Sequence, residues 1–162
     1  MNKTLYLFRH GLATKSTQGY GEHIKTARLL PEAYKPIEKM AEFLQNIPAD
    51  HFFSSEYIRC VQTSEIITKI THIPFVTDKR LNEYNDISLS NFVNNLSSFL
   101  RDIETMNGNS LFICTHAADL VVLKKLLFNV PIDEADTQSN APLPGVLEII
   151  KNGITEEINF NE

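Results

Sequence analysis

Leu5-Tyr6-Leu7-Phe8-Arg9-His10-Gly11 decides the reading of this chain. Leu5 to Phe8 is a continuous apolar run, too short for a helix and without the alternation of a half-exposed strand, so it predicts a strand buried on both faces. It stops abruptly at an arginine, a histidine and a glycine. Leu12 to Leu30 is polar and has neither helical nor strand period, so it is expected to be a surface loop. From Pro31, the residues Tyr34, Ile37, Met40, Ala41 and Leu44 recur at helical spacing, with Pro36 in or just before the first turn, until Pro48 ends the segment.

The same alternation continues downstream. Phe52 and Phe53 form a second short strand, followed by Ser54-Ser55-Glu56, which is expected to cap a helix reaching Ile70. Pro74 to Thr77 is a third strand, and Leu89, Phe92, Leu96, Phe99 and Ile103 mark one face of a helix ended by Asn107-Gly108-Asn109. Leu111 to Cys114 is a fourth buried strand, and Ala118 to Phe128 an apolar helix. Val146 to Ile150 and Ile154 to Ile158 form a hairpin around Asn152-Gly153. This βαβαβαβα order with a closing hairpin predicts an α/β fold: a three-layer sandwich with a mostly parallel central sheet flanked by helices, one domain over residues 1–162.

Sheets of this kind bind ligands beyond the carboxyl ends of their strands. That rule selects Arg9 and His10 after strand one, Ser54 to Arg59 after strand two, Glu83 after strand three, and Thr115-His116 after strand four. Singly, each has a plainer explanation, such as a surface ion pair for an arginine or a satisfied core histidine for His116. Jointly they assemble two histidines, two arginines and a carboxylate at one edge of one sheet. His23, Lys25 and Arg28 are read as a solvated loop, and His51 and His72 as structural or exposed.

The remaining composition narrows the chemistry. The chain has 162 residues with 15 basic and 20 acidic side chains, a net charge of −5. No broad nucleic-acid or membrane surface is expected of such a balance, although a small cationic pocket fits within it. Surface scaling allows about 69% of the chain's area to be buried, enough for a core without staples. Cys60 and Cys114 have neither disulfide-framework nor zinc spacing and read as small buried hydrophobes. The short apolar amino-terminal run does not resemble a signal peptide, which leads to the expectation of a cytoplasmic protein.

Arginine forks match phosphate oxygens, His116 can balance charge on a phosphoryl group, and His10 offers an imidazole nucleophile. Gly11 would let a tetrahedral group approach the backbone. There is no Walker-type lysine loop and no acidic cluster for magnesium, which disfavours kinases and two-metal phosphatases. No cofactor is expected.

These motifs resemble the histidine phosphatase superfamily, the phosphoglycerate mutase-like fold. Arg9-His10-Gly11 is similar to the family's signature, Ser55-x-x-x-Arg59-Cys60-x-x-Thr63 to its second motif, and Leu111 to His116 to the strand carrying its second histidine. Glu83 falls where many members carry the general acid. The resemblance implies His10 as phosphorylated nucleophile, and Arg9, Arg59 and His116, beside Gly11, as the phosphate clamp. Leu12-Ala13 departs from the polar pair of mutases and many small-molecule phosphatases, and alanine there is shared with the short SixA-type phosphohistidine phosphatases.

Only about ten residues separate strand three from the next helix, which predicts a shallow, uncovered pocket. Such a pocket suits a phosphorylated side chain on a docked protein, which brings its own cover. The expectation is therefore a metal-independent phosphatase acting on protein phosphohistidine. The alternatives are a small-molecule phosphomonoesterase of the same superfamily and a catalytically silent phosphate-binding module.

Overall fold

The computed structural model describes residues 1–15 and 17–162. Six strands form one sheet: β1 (Thr4–Arg9), β2 (His51–Ser54), β3 (Val76–Thr77), β4 (Ser110–Thr115), β5 (Val146–Lys151) and β6 (Ile154–Asn159). Their spatial order is β3-β2-β4-β1-β5-β6. The β3-β2, β2-β4 and β4-β1 pairs are parallel, and the closing hairpin adds β5 and β6 antiparallel. Four helices, α1 (Tyr34–Leu44), α2 (Ile58–Thr71), α3 (Leu89–Thr105) and α4 (Ala117–Leu127), cover the sheet. The expected α/β sandwich is the observed one.

The pleat assigns the layers. Leu5, Leu7, Leu111 and Ile113 point to a core shared with Phe92, Leu96 and Phe99 of α3 and with Leu120 and Leu123 of α4. Phe8, Phe112 and Cys114 point the opposite way, against Ile37, Met40 and Leu44 of α1 and Cys60 and Ile67 of α2. Both faces of β1 and β4 are thus covered, which is why their sequences are continuous apolar runs.

The layers also locate the site. The chain leaves β1 toward the α1 face and leaves β4 toward the α4 face, so a crevice opens between the carboxyl ends of these two neighbouring strands. This is the topological switch point at which open α/β sheets bind ligands. Register brings Arg9 opposite Thr115, and the His10 N–H donates to the Thr115 carbonyl at 3.0 Å.

Local expectations hold with three adjustments. Pro31–Ala33 is a 3-10 turn, α1 begins at Tyr34, and Pro36 sits in the first turn, where no intrahelical N–H is lost. β3 is two residues, shorter than expected. The third concerns Ser54-Ser55, which do not cap α2: that helix starts at Ile58 after Tyr57, with no side-chain cap. The Ser55 hydroxyl instead accepts from the Tyr57 N–H at 3.2 Å and is committed to the site below.

Candidate active site at the carboxyl edge of the sheet

β1, α2 and β4 deliver His10, Arg59 and His116 to one point. The His10 and His116 rings lie 5.2 Å apart between centroids. Arg59 Nε donates to His10 Nε2 at 3.1 Å, and Arg59 Nη2 lies 3.3 Å from His116 Nδ1. All three side chains are buried, with Arg59 and His116 fully inaccessible. Arg59 also donates to the Ile24 carbonyl and is ion-paired with Glu83. His10, Arg59, Glu83 and His116 are therefore brought into contact here, and Arg9 lines the same cleft as Glu83.

Hydrogen bonds set the protonation of His10. His10 Nδ1 is 2.7 Å from the Gly11 carbonyl, which can only accept, so Nδ1 carries the proton. Nε2 keeps its lone pair and receives the Arg59 N–H. Burial, followed by the charges of Arg59 and Arg9, holds the His10 pKa well below the usual imidazole value, so the ring is neutral. Burial likewise lowers His116, helped by His10 and Arg59.

Arg9 is nearly buried; Nη1 donates to the Asn140 carbonyl at 3.1 Å and Nε is unpartnered. A buried guanidinium N–H without an acceptor is costly, and an anionic oxygen in the crevice would satisfy it. Glu83 is partly exposed, and burial raises its pKa more than Arg59 and Arg9 lower it. Asp119 is another fully buried carboxylate whose oxygens make no hydrogen bond, and burial raises its pKa strongly. It lies behind the site, on α4, and does not line the crevice.

Two expectations need correction. Gly11 does not open the backbone to phosphate: its N–H donates to Thr63 Oγ1 at 2.9 Å. A Cβ there would lie 2.5 Å from Ile37 Cδ1 and 3.0 Å from Ala33 Cβ, so the glycine admits α1 and the preceding turn against the signature loop. Gly11→Ala is expected to lower stability by about 1–3 kcal/mol through overpacking, read as a lower melting temperature.

The pocket is also larger and better walled than expected, though it stays open to solvent. The cleft at Arg9 and Glu83 has a volume of about 630 Å³ and is lined also by Lys15, Thr17 to Tyr20, and Thr137 to Asn140. Tyr20 from the long loop lays its ring 4.0 Å from the Arg59 guanidinium carbon and 6.4 Å from the His10 ring. Much of the wall comes from before α1, while the short connection after β3 contributes Glu83 and Tyr84.

Tyr20 and Lys15 escaped the sequence reading because they lie in a stretch with no period and no motif. Lys15 lines the cleft, and its charge acts on both His10 and Glu83. His23 and Arg28, in contrast, do not line it. Cys60 and Cys114 are buried as expected, and burial raises the Cys60 thiol pKa far above its usual range, consistent with an inert packing role.

A sequence model of the histidine phosphatase superfamily, branch 1, matches residues 5–88, just over half the chain. The chain belongs to the histidine phosphatase superfamily. Solved structures agree on the fold. The alpha-ribazole phosphatase from Shigella flexneri superposes with a TM-score of 0.79 at 16% identity, covering 99% of this chain and 96% of that one. A putative phosphohistidine phosphatase SixA from Agrobacterium tumefaciens gives 0.68 at 18% identity, with 98% and 97% covered. Phosphoglycerate mutase from Bacillus anthracis gives 0.68 at 12% identity, with 99% and 93% covered. A search of curated protein sequences finds no match. The shared fold with phosphatases and a mutase leaves the reaction and its leaving group to be argued from the cleft.

Proposed function

We propose that this chain is a metal-independent phosphatase working through phospho-His10, and that it acts on small phosphomonoesters with a polar leaving group. The observation that carries the reading is the lone pair of His10 Nε2, held neutral and aimed at the Arg59 fork by the Nδ1 bond to Gly11. A silent phosphate-binding module has no use for an imidazole kept in this tautomer.

In the proposed cycle, a bound phosphoryl group takes the place of Glu83 on Arg59 Nη2 and supplies the acceptor missing at Arg9 Nε. Arg59 Nε–H passes from His10 Nε2 to a phosphoryl oxygen, and the freed lone pair attacks phosphorus in line as the bond to the leaving oxygen breaks, that oxygen taking the Glu83 proton. Water then attacks phospho-His10, gives its proton to Glu83, and phosphate departs. Arg9, Arg59 and Lys15 balance the charge on the phosphoryl oxygens.

The choice of substrate departs from the expectation of protein phosphohistidine because the cleft is larger and better walled than that expectation assumed. The leaving group lies toward Glu83, where the cleft presents Lys15, Thr17, Gln138 and Ser139. Those side chains suit a hydroxyl- or amide-bearing moiety. Glu83, with its raised pKa, is placed to protonate an alkoxide, which needs an acid more than a departing imidazole does. The fold likeness to alpha-ribazole phosphatase accords with a small substrate, and that to SixA accords with the phosphohistidine alternative.

The test is turnover in EDTA on a panel of sugar phosphates, nucleoside monophosphates and a phosphohistidine peptide. Higher kcat/KM on a small polar ester is expected. A tenfold preference for the peptide would restore the phosphohistidine reading, and no turnover on any member would leave the binding module.

The two shifts also set the pH profile. With its pKa depressed, His10 stays unprotonated, and so nucleophilic, below pH 6.5. Glu83 must be protonated to act, so activity falls as pH rises through its raised pKa. Glu83→Gln is expected to slow alkyl phosphates by about 10²-fold and to remove the alkaline limb, with a smaller effect on aryl phosphates. Stopped assays of phosphate release across pH check both.

A further inference from the structure

His116 is held from behind by a chain of hydrogen bonds that the cycle above does not use. Its Nε2 lies 2.9 Å from Ser55 Oγ. Ser55 Oγ in turn donates to Asn82 Oδ1 at 2.9 Å. The same Oδ1 accepts from the Glu56 N–H at 2.9 Å, while Asn82 Nδ2 donates to Glu56 Oε2 at 2.8 Å. The orientation of the amide is therefore set from both sides, since a flipped amide would face an N–H with its own donors and a carboxylate with its oxygen.

The consequence runs inward. A serine hydroxyl has one proton, and here it is given to Asn82. Toward His116, Ser55 Oγ can only accept, so Nε2 must carry the imidazole proton and Nδ1 the lone pair. That lone pair faces Arg59 Nη2 at 3.3 Å. The opposite tautomer would set an N–H against the guanidinium N–H groups. Arg59 is thus gripped by two imidazole lone pairs, from His10 through Nε and from His116 through Nη2.

We propose that Asn82 is a positioning residue: by taking the Ser55 hydroxyl proton it holds His116 in the Nε2–H tautomer and so keeps the Arg59 fork aligned for the phosphoryl group. This rests on the phosphatase reading for its effect on turnover, but the tautomer itself does not. Asn82 immediately precedes Glu83, so one segment carries both the proposed acid and the group that orients His116. Thr115 Oγ1 also donates to the Leu81 carbonyl at 2.6 Å, tying that segment to the end of β4.

The test compares the wild-type chain with Asn82→Ala and with the double exchange Asn82→Asp/Glu56→Gln. The exchange keeps an acceptor for Ser55 and restores a donor–acceptor pair with residue 56. Nitrogen-15 NMR of labelled histidines reads the His116 tautomer at neutral pH, and kcat, KM and melting temperature are measured alongside. Wild type and the exchange are expected to show the Nε2–H signature.

Asn82→Ala frees the Ser55 proton to turn toward the ring, so a mixture of tautomers is expected. A fall in kcat of roughly tenfold should accompany it, comparable with losing an outer hydrogen-bond partner of a metal-bound histidine. A wild-type tautomer in Asn82→Ala, or a mixture in the exchange, overturns the proposal. If the alanine variant does not fold, Asn82→Leu, which conserves volume, takes its place with the same two outcomes. Because the spectrum needs no substrate, a wild-type chain lacking turnover would remove the phosphatase reading while leaving the tautomer result to stand or fall alone.

Discussion

His10→Ala is expected to eliminate both the covalent phosphoenzyme and multiple turnover. The reason is geometric as well as chemical. Among the described residues, the only other imidazole in the crevice is His116, whose Nε2 is bound to Ser55 and whose Nδ1 faces Arg59. It is fully inaccessible and lines neither cleft, whereas His10 lines one, so it is not poised to replace the lost nucleophile. A loss on the order of 10⁴–10⁶ in kcat is expected, as when a nucleophile is removed from a serine protease.

Quenching the wild type during turnover with labelled substrate should yield an acid-labile, base-stable adduct, absent from the variant. The variant also leaves the Arg59 Nε–H and the Gly11 carbonyl without their partner, so a stability loss of about 2–4 kcal/mol accompanies it. Circular dichroism below the lowered melting temperature separates the two effects. A labelled, folded His10→Ala chain would end the phospho-His10 proposal.

Replacing Arg59 carries the second-largest expected effect, a drop in kcat/KM on the order of 10³. Its guanidinium contacts both histidines, Glu83 and the Ile24 carbonyl, with Tyr20 stacked on its face. Loss of one aimed donor typically costs 10²–10³ in an oxyanion site, to which about another factor of ten is added here because His10 and Glu83 lose their alignment together. Arg59→Lys should recover little, since an ammonium cannot reach two imidazoles and a carboxylate from one plane.

Stability provides the control. Arg59→Met alone strands Glu83 in the crevice beside a vacated fork, whereas Arg59→Met/Glu83→Gln removes that unpaired charge. The double variant is expected to melt higher than the single one while remaining inactive. Recovery of activity together with stability would mean that Arg59 serves the fold and not the phosphoryl group.

Periodicity is a property of neighbours along the chain, and what depends on neighbours was legible. Buried strands read as apolar runs at Leu5 to Phe8 and Leu111 to Cys114, and α1 and α3 by their faces. Given the alternation of elements, the rule that ligands gather at strand carboxyl ends selected Arg9, His10, Arg59, Glu83 and His116. The structure places all five in contact with one another or with the same cleft. Ser55 was misread as a helix cap because a serine before a helix has that local signature, and nothing local reveals a histidine 61 positions away.

The sequence by itself therefore determined the order of strands and helices, and which reactive side chains stand at the sheet's edge. Tertiary structure decided how each is used. Gly11 packs against Ile37 and holds the His10 proton through its carbonyl; Tyr20 roofs the arginine; Asn82 accepts the Ser55 hydroxyl proton, turning it away from His116. Each of these depends on where a proton lies or on which surface is buried. Apart from the bond between the neighbours His10 and Gly11, they are set by partners 26 to 61 residues apart in the chain, brought into contact only by folding.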